Sequence, residues 1–141
     1  MTTDAIRLED LRNAFVGLDW PIFLGLHQES ENHCILSLDV PPEVRWFEGH
    51  FPKQAVLAGV VQTHWAAEFG KYLYPLGEEF QRLDNLKFQA VILPNQLLNL
   101  HLQFDASRHA LAFRYAYEQT QFSSGKFFFA ANPLTQAHSY L

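Results

Sequence analysis

The sequence predicts an α+β domain in which one antiparallel sheet curls around a single long helix, and three observations carry that prediction. From about Leu57 to Tyr74 the chain is apolar almost all round, with Gly59 near the start and Pro75 at the end, as in a helix buried on most sides. On either side lie short segments of strand-like composition separated by turn residues, as in a meander of antiparallel strands. A length of 141 residues with 48% hydrophobic content suits one core, so residues 1–141 read as a single domain without repeat, low-complexity tract or linker.

The elements follow in order. Thr3-Asp4, then Ile6, Leu8, Leu11, Phe15 and Leu18, make a capped apolar stripe, so a short amphipathic helix is expected over about 4–15, packed on the outside of the sheet. Ile22 to Gln28 and Cys34 to Val40, separated by Glu29-Ser30-Glu31-Asn32, read as a hairpin. Pro41-Pro42 cannot donate to a ladder, so it closes the second strand and opens a loop. After the long helix, strands are expected over Leu83–Leu93, Gln96–Phe104, Ala110–Glu118 and Lys126–Ala131, joined at Pro94-Asn95, Asp105 to Arg108, and a turn around Ser123-Ser124-Gly125. In Phe127-Phe128-Phe129 the middle ring should oppose its two neighbours, which is core packing and not a ligand box.

Composition excludes several classes of function. Ten basic against fifteen acidic residues give a net charge of −5, and no Lys/Arg cluster is present to neutralise phosphates, so nucleic acid is not an expected partner. No apolar run reaches the ~18 residues of a membrane span, and the N-terminus lacks the pattern of a secretory signal. The lone cysteine, Cys34, has no intramolecular partner; a cytoplasmic location is the expectation. His27, His33, His101, His109 and His138 show no metal-ligand spacing, so no metal is expected.

Two histidines stand out because both sit among apolar residues. His50 lies in Trp46-Phe47-Glu48-Gly49-His50-Phe51-Pro52, and His64 in Ala58-Gly59-Val60-Val61-Gln62-Thr63-His64-Trp65 at the start of the long helix. The first segment resembles the Gly-His-Phe-Pro signature of the hot-dog-fold 3-hydroxyacyl-[acyl-carrier-protein] dehydratases, in which the motif His precedes a Pro-Gly-Val helix start. Leu86 to Leu97, reading Leu-Lys-Phe-Gln-Ala-Val-Ile-Leu-Pro-Asn-Gln-Leu, resembles that family's Lys-x-Phe-x-x-x-Val-x-Pro-Gly-Asp-x-Leu strand, with Asn95 where Gly is usual. The chain departs from the pattern at Ala58, where the family has Pro, and at His64, where it has Glu or Asp. Gln62 and Trp65 match a Gly-Val-x-Gln-x-(Asp/His)-Trp pattern of the dehydratases of aryl polyene biosynthesis, which look closer still.

Dehydration of a 3-hydroxyacyl thioester needs a base for the C2 proton, an acid for the C3 hydroxyl and donors for the thioester oxygen. An imidazole titrating near pH ~6.5 suits the base, and the resemblance gives that role to His50. Backbone N–H groups at a helix start suit the oxygen; the resemblance implies the Gly59 N–H, with Val60 the next first-turn residue. His64 then falls at the acid position and must donate as imidazolium. Glu68, four residues on, is placed to accept its other N–H and favour that form. Gln62 and Thr63 are polar residues early in a helix, which commonly serve the backbone. Arg45 and Lys53 flank the motif loop as surface charges that could meet a phosphopantetheine.

The resemblance further implies a substrate carried on the phosphopantetheine of an acyl carrier protein, no other cofactor, and a dimer whose sheets join edge to edge. The motif His of one chain would face the helix residue of its partner, either a second copy or a related dehydratase. An exposed sheet edge independently favours pairing. Two alternatives stay open: a thioesterase of the same fold, using Glu68 or Glu48 to activate water, and a non-catalytic subunit that holds acyl chains or scaffolds an active paralogue.

Overall fold

A computed structural model describes residues 3–47, 55–77 and 79–130. The elements are α1 (Thr3–Ala14), β1 (Ile22–Ser30), β2 (His33–Val40), a 3-10 turn (Arg45–Phe47), α2 (Gly59–Leu73), β3 (Phe80–Phe88), β4 (Gln96–Asp105), β5 (Ala110–Tyr117) and β6 (Thr120–Phe129). Among the described residues all strand pairings are antiparallel, and six strands run in the order β1-β2-β4-β5-β6-β3, so β1 and β3 are the edges. The α+β architecture read from the sequence is the one observed.

Alternation in β2 and β4 turns Cys34, Leu36, Leu38, Val40, Leu98, Leu100, Leu102 and Phe104 to one face. That face packs on Val61, Trp65, Ala66 and Phe69 of α2 in one continuous core. Trp65 and Phe69 are wholly buried, which explains why the helix sequence shows almost no polar side.

Four expectations are corrected. The stripe of α1 is incomplete: Leu11 is buried, but Ile6 and Leu18 are exposed. The helix also lies on the same side of the sheet as α2, not outside. Phe15, just past its end, meets Phe69 edge-on at 5.0 Å and Tyr72 at 5.7 Å, Arg7 donates to the Leu73 carbonyl at 3.2 Å, and Arg12 to that of Phe23.

The strand expected over Leu83–Leu93 begins at Phe80 and ends at Phe88, where the N–H groups of Gln89 and Ala90 both turn to the Phe122 carbonyl. The turn expected at Ser123-Ser124-Gly125 is instead the middle of β6. The hairpin closes at Glu118-Gln119, with Glu118 at a positive φ of 52°. Gly125 is small because a Cβ there would lie 2.8 Å from the Phe113 ring, which is a packing reason and not a turn reason.

Asn95, standing where the resembled family has Gly, takes a φ of 68°, a region Asn tolerates, and its N–H reaches the Val40 carbonyl at 2.7 Å. In β6, Phe127 and Phe129 point inward and Phe128 outward, its ring lying 3.9 Å beneath the Arg82 guanidinium.

Candidate active site at the start of the central helix

The first turn of α2 is held from three directions. Its N-cap, Ala58, is extended and supplies no side-chain cap, and the N–H groups of Val61 and Gln62 both reach the Ala58 carbonyl, at 3.0 and 3.2 Å. The entry is fixed by the Leu57 N–H donating to the Ile92 carbonyl at 2.8 Å. Gln62, only 3% exposed, then ties the turn to the sheet: its Nε2 donates to the Leu57 carbonyl at 2.9 Å and its Oε1 accepts from Ser123 Oγ at 2.7 Å. Its carbonyl accepts from the Tyr115 hydroxyl at 2.7 Å. Burial pushes the Tyr115 phenol well above its ordinary pKa, so it remains a donor. The reading of Gln62 and Thr63 as backbone servants holds, since Thr63 Oγ1 donates to the Val60 carbonyl at 2.9 Å.

What this clamp leaves open is the pair of N–H groups on Gly59 and Val60. Among the described residues nothing accepts from either, as the geometry of a helix start dictates. Val60 is 75% exposed and Gly59 half-buried, and both N–H groups stand at the positive end of the helix dipole. The glycine has a reason beyond substrate approach. A Cβ on it would come within 2.5 Å of the Phe88 ring, which packs over the helix start from the end of edge strand β3. Phe88 was not singled out from the sequence, although it sits inside the Lys87-x-Gln89 segment that carried the later resemblance.

His64 lies one turn beyond Val60 and is exposed. Its expected partnership with Glu68 does not form: Glu68 Oε1 pairs with Lys71 Nζ at 3.3 Å, because the helix offers the carboxylate a cation three residues on. The neighbour of His64 is Trp20, whose ring stacks on the imidazole at 5.6 Å with 24° between planes. Trp20 comes from the segment between α1 and β1 and is held edge-on by Phe15 at 4.7 Å and at a tilt by Phe69 at 5.9 Å. Linear spacing contains no signal for this contact across more than forty residues.

Trp20 also walls an apolar cavity of about 510 Å³, with Phe15, Val16, Leu18, Ile22, Phe23 and Val44 around it. Beneath, the Asp19 carbonyl accepts from both Trp46 Nε1 and Trp65 Nε1, at 2.8 and 2.9 Å. Arg45 pairs with the Asp19 carboxylate at 2.9 Å, which makes it a structural charge.

The structure thus places Gly59, Val60 and His64 within the first two turns of α2, with Val60 and His64 exposed, and sets Glu68 apart from the histidine. His50, with Glu48, Gly49, Phe51, Pro52 and Lys53, lies outside the described residues, as does His138. Among the described residues no group of three or more His, Cys, Asp or Glu side chains could hold a metal. No described helix is long and apolar enough to cross a membrane. Cys34 is wholly buried, and burial raises its thiol pKa, which leaves it poorly suited to act as a nucleophile.

Residues 26–126 match the ApeI-like family, described as ApeI dehydratase. This chain belongs to that family. The ApeI-like match takes in α2, the Phe88 strand and the sheet that supports them. Among solved structures, the dehydratase heterocomplex ApeI:P from Xenorhabdus doucetiae is similar at 32% identity and a TM-score of 0.74, over 79% of this chain and 99% of that one. An uncharacterized protein from Erwinia carotovora subsp. atroseptica is similar at 33% identity and a TM-score of 0.69, over 79% and 96% of the two chains. A mutant thioesterase from Pseudomonas aeruginosa, at 13% identity and a TM-score of 0.59 over 90% and 92% of the chains, shares the fold. No curated protein matches. The fold of this ApeI-like chain is the hot-dog fold, and the resemblance read from residues 46–65 and 86–97 is borne out at the level of the family.

Proposed function

We propose that this chain is a 3-hydroxyacyl-[acyl-carrier-protein] dehydratase that forms a trans-2-enoyl thioester, in a pathway of the fatty-acid or aryl polyene kind. The observation that carries the reading is the pair of N–H groups on Gly59 and Val60, without an acceptor among the described residues and one helical turn from an exposed His64, in a chain of a dehydratase family. The thioester oxygen accepts from the Gly59 N–H, and charge that develops there as C2 loses its proton is met by fixed donors and the helix dipole. His50 takes the C2 proton. The electrons of that C–H bond form the C2–C3 double bond, the C3–O bond breaks, and imidazolium His64 gives its proton to the departing oxygen, which leaves as water. The two rings then exchange protons with solvent to restore the starting state.

The substrate arrives on the phosphopantetheine of an acyl carrier protein in the cytoplasm, with no other cofactor. The working unit is a dimer, with a second copy or with a related dehydratase subunit; the heterocomplex formed by a 32% identical relative supports the latter. Edge strand β3 suits that union, since Phe80, Leu86 and Phe88 on it are all exposed. A thioesterase reading loses ground because Glu68, the described carboxylate nearest in sequence to His64, is engaged by Lys71. The same heterocomplex favours one other reading, a non-catalytic partner subunit.

Incubating the purified chain, alone and with the related subunit, with a 3-hydroxyacyl carrier-protein thioester and following the acyl mass separates these cases. Loss of one water that disappears in His64→Gln and His50→Gln is the expected result. Release of free acid would instead indicate a thioesterase. Activity that needs the partner and survives both substitutions would leave this chain a scaffold.

A further inference from the structure

We propose that Trp20 is the positioning residue of His64, its indole face fixing the direction in which the imidazole ring delivers a proton to the leaving hydroxyl. The inference rests on the dehydratase reading of this site and supplies what that reading lacks. An exposed imidazole on a helix rotates freely unless something holds it, and a proton donor needs a fixed aim at the departing oxygen.

Among the described residues, the carboxylates nearest the ring are already paired. On α2 itself, Glu68 is paired with Lys71 at 3.3 Å; in the segment that carries Trp20, Asp19 is paired with Arg45 of the 3-10 turn at 2.9 Å. Among the described residues no Asp or Glu lies within ion-pair distance of His64. What does face the ring is an aromatic surface. The centroids are 5.6 Å apart with planes 24° from parallel, a stacked contact of the two rings.

Trp20 is itself braced. Phe15 meets it edge-on at 4.7 Å, Phe69 of α2 packs at 5.9 Å, and the main chain below the ring is tied by the Trp20 backbone N–H, which donates to the Gly17 carbonyl at 3.3 Å. A ring held on one side by the core and presented to a histidine on the other leaves the imidazole few orientations, so one N–H keeps a constant aim. Phe15, Trp20 and Phe69 thereby connect the proton donor to the hydrophobic core through a chain of rings.

The test compares Trp20→Phe, which keeps an aromatic face, with Trp20→Leu, which removes it. The chemical shifts of the His64 ring protons, measured by NMR at one pH, provide a readout independent of turnover. In W20L those protons lose their ring-current displacement. Turnover falls about fivefold, with kcat affected more than KM. W20F retains most of each property. A W20L protein that is folded by circular dichroism, with unchanged His64 proton shifts, would overturn the proposal whatever its activity. Displaced shifts in W20L, in a protein whose wild-type form releases no water, would support the ring contact and count against the dehydratase reading instead.

Discussion

Replacing Gln62 by Met tests whether the buried amide holds the start of α2 in place. The substitution keeps length and volume but removes both ends of the clamp: the donor to the Leu57 carbonyl at 2.9 Å and the acceptor for Ser123 Oγ at 2.7 Å. Each neutral hydrogen bond is worth a net ~1 kcal/mol, and a buried partner left without a mate costs about 1–3 kcal/mol. Leu57 is 2% exposed and Ser123 fully buried, so water does not replace the amide at either end without rearrangement. A loss of about 3 kcal/mol is expected, against roughly half a kilocalorie for an ordinary surface change.

Equilibrium urea unfolding at constant m-value reads this directly, and in a domain of this size the melting temperature falls by roughly 10 °C. The Tyr115 hydroxyl bonds the Gln62 main chain, not its side chain, so that contact survives and the helix keeps one anchor. Adding Ser123→Ala to the Met variant removes the orphaned hydroxyl and recovers ~1 kcal/mol. In the wild-type background the same change is destabilising. If Gln62→Met cost under about 0.5 kcal/mol, or if the two substitutions were additive in the double-mutant cycle, the amide would not be a clamp.

Gly59→Ala is expected to change sign with its neighbour. With Phe88 present the new Cβ meets the ring at 2.5 Å and the variant is destabilised, while in a Phe88→Leu background Ala is favoured over Gly in the helix by up to ~1 kcal/mol; the same sign in both backgrounds by urea unfolding would refute the contact. His101 has its pKa lowered by burial, then by Arg114 and His33. Its neutral form is therefore favoured in the folded state, and the stability this lends is present above pH ~6.5 and lost as pH falls through the lower folded-state value. The urea midpoint of wild type should accordingly drop more steeply from pH 7 to pH 5 than that of His101→Gln, and equal slopes would show that the ring does not titrate with folding.

Periodicity and punctuation located the elements whose burial is one-sided or complete. α2 was legible because nearly every residue from Val61 to Gly70 faces the core or its edge, and β2 and β4 because their alternation is unbroken. The misplaced turn in β6 has one cause: small and polar residues were read as punctuation where tertiary packing had other uses for them. Ser123 bonds the Gln62 amide and Gly125 makes room for Phe113, so neither breaks β6; the bend fell to Glu118, which carries no turn signature. At the site, motif position picked out Gly59 and His64 but not their partners, because Trp20 and Phe88 reach them across the fold. The i, i+4 spacing suggested Glu68 for His64, and the competing i, i+3 pairing with Lys71 prevailed.

The position of the free donors explains why a proposed active site would sit where two chains meet. Helix α2 lies across the inner face of the sheet, and its first residue abuts Phe88, the last residue of β3. Among the described residues β3 pairs with β6 on one side and is an edge on the other, and the start of α2 lies next to the end of that edge strand. A second subunit that extends the sheet at β3 brings its own residues beside the helix start, covering Phe88 and Leu86 and enclosing the exposed turn that carries His64. Exclusion of water there strengthens the pull of two backbone N–H groups on a developing oxyanion. Edge pairing and site closure would then be a single event, so a charge such as Leu86→Glu on β3 should weaken assembly and dehydration together while leaving the isolated fold intact.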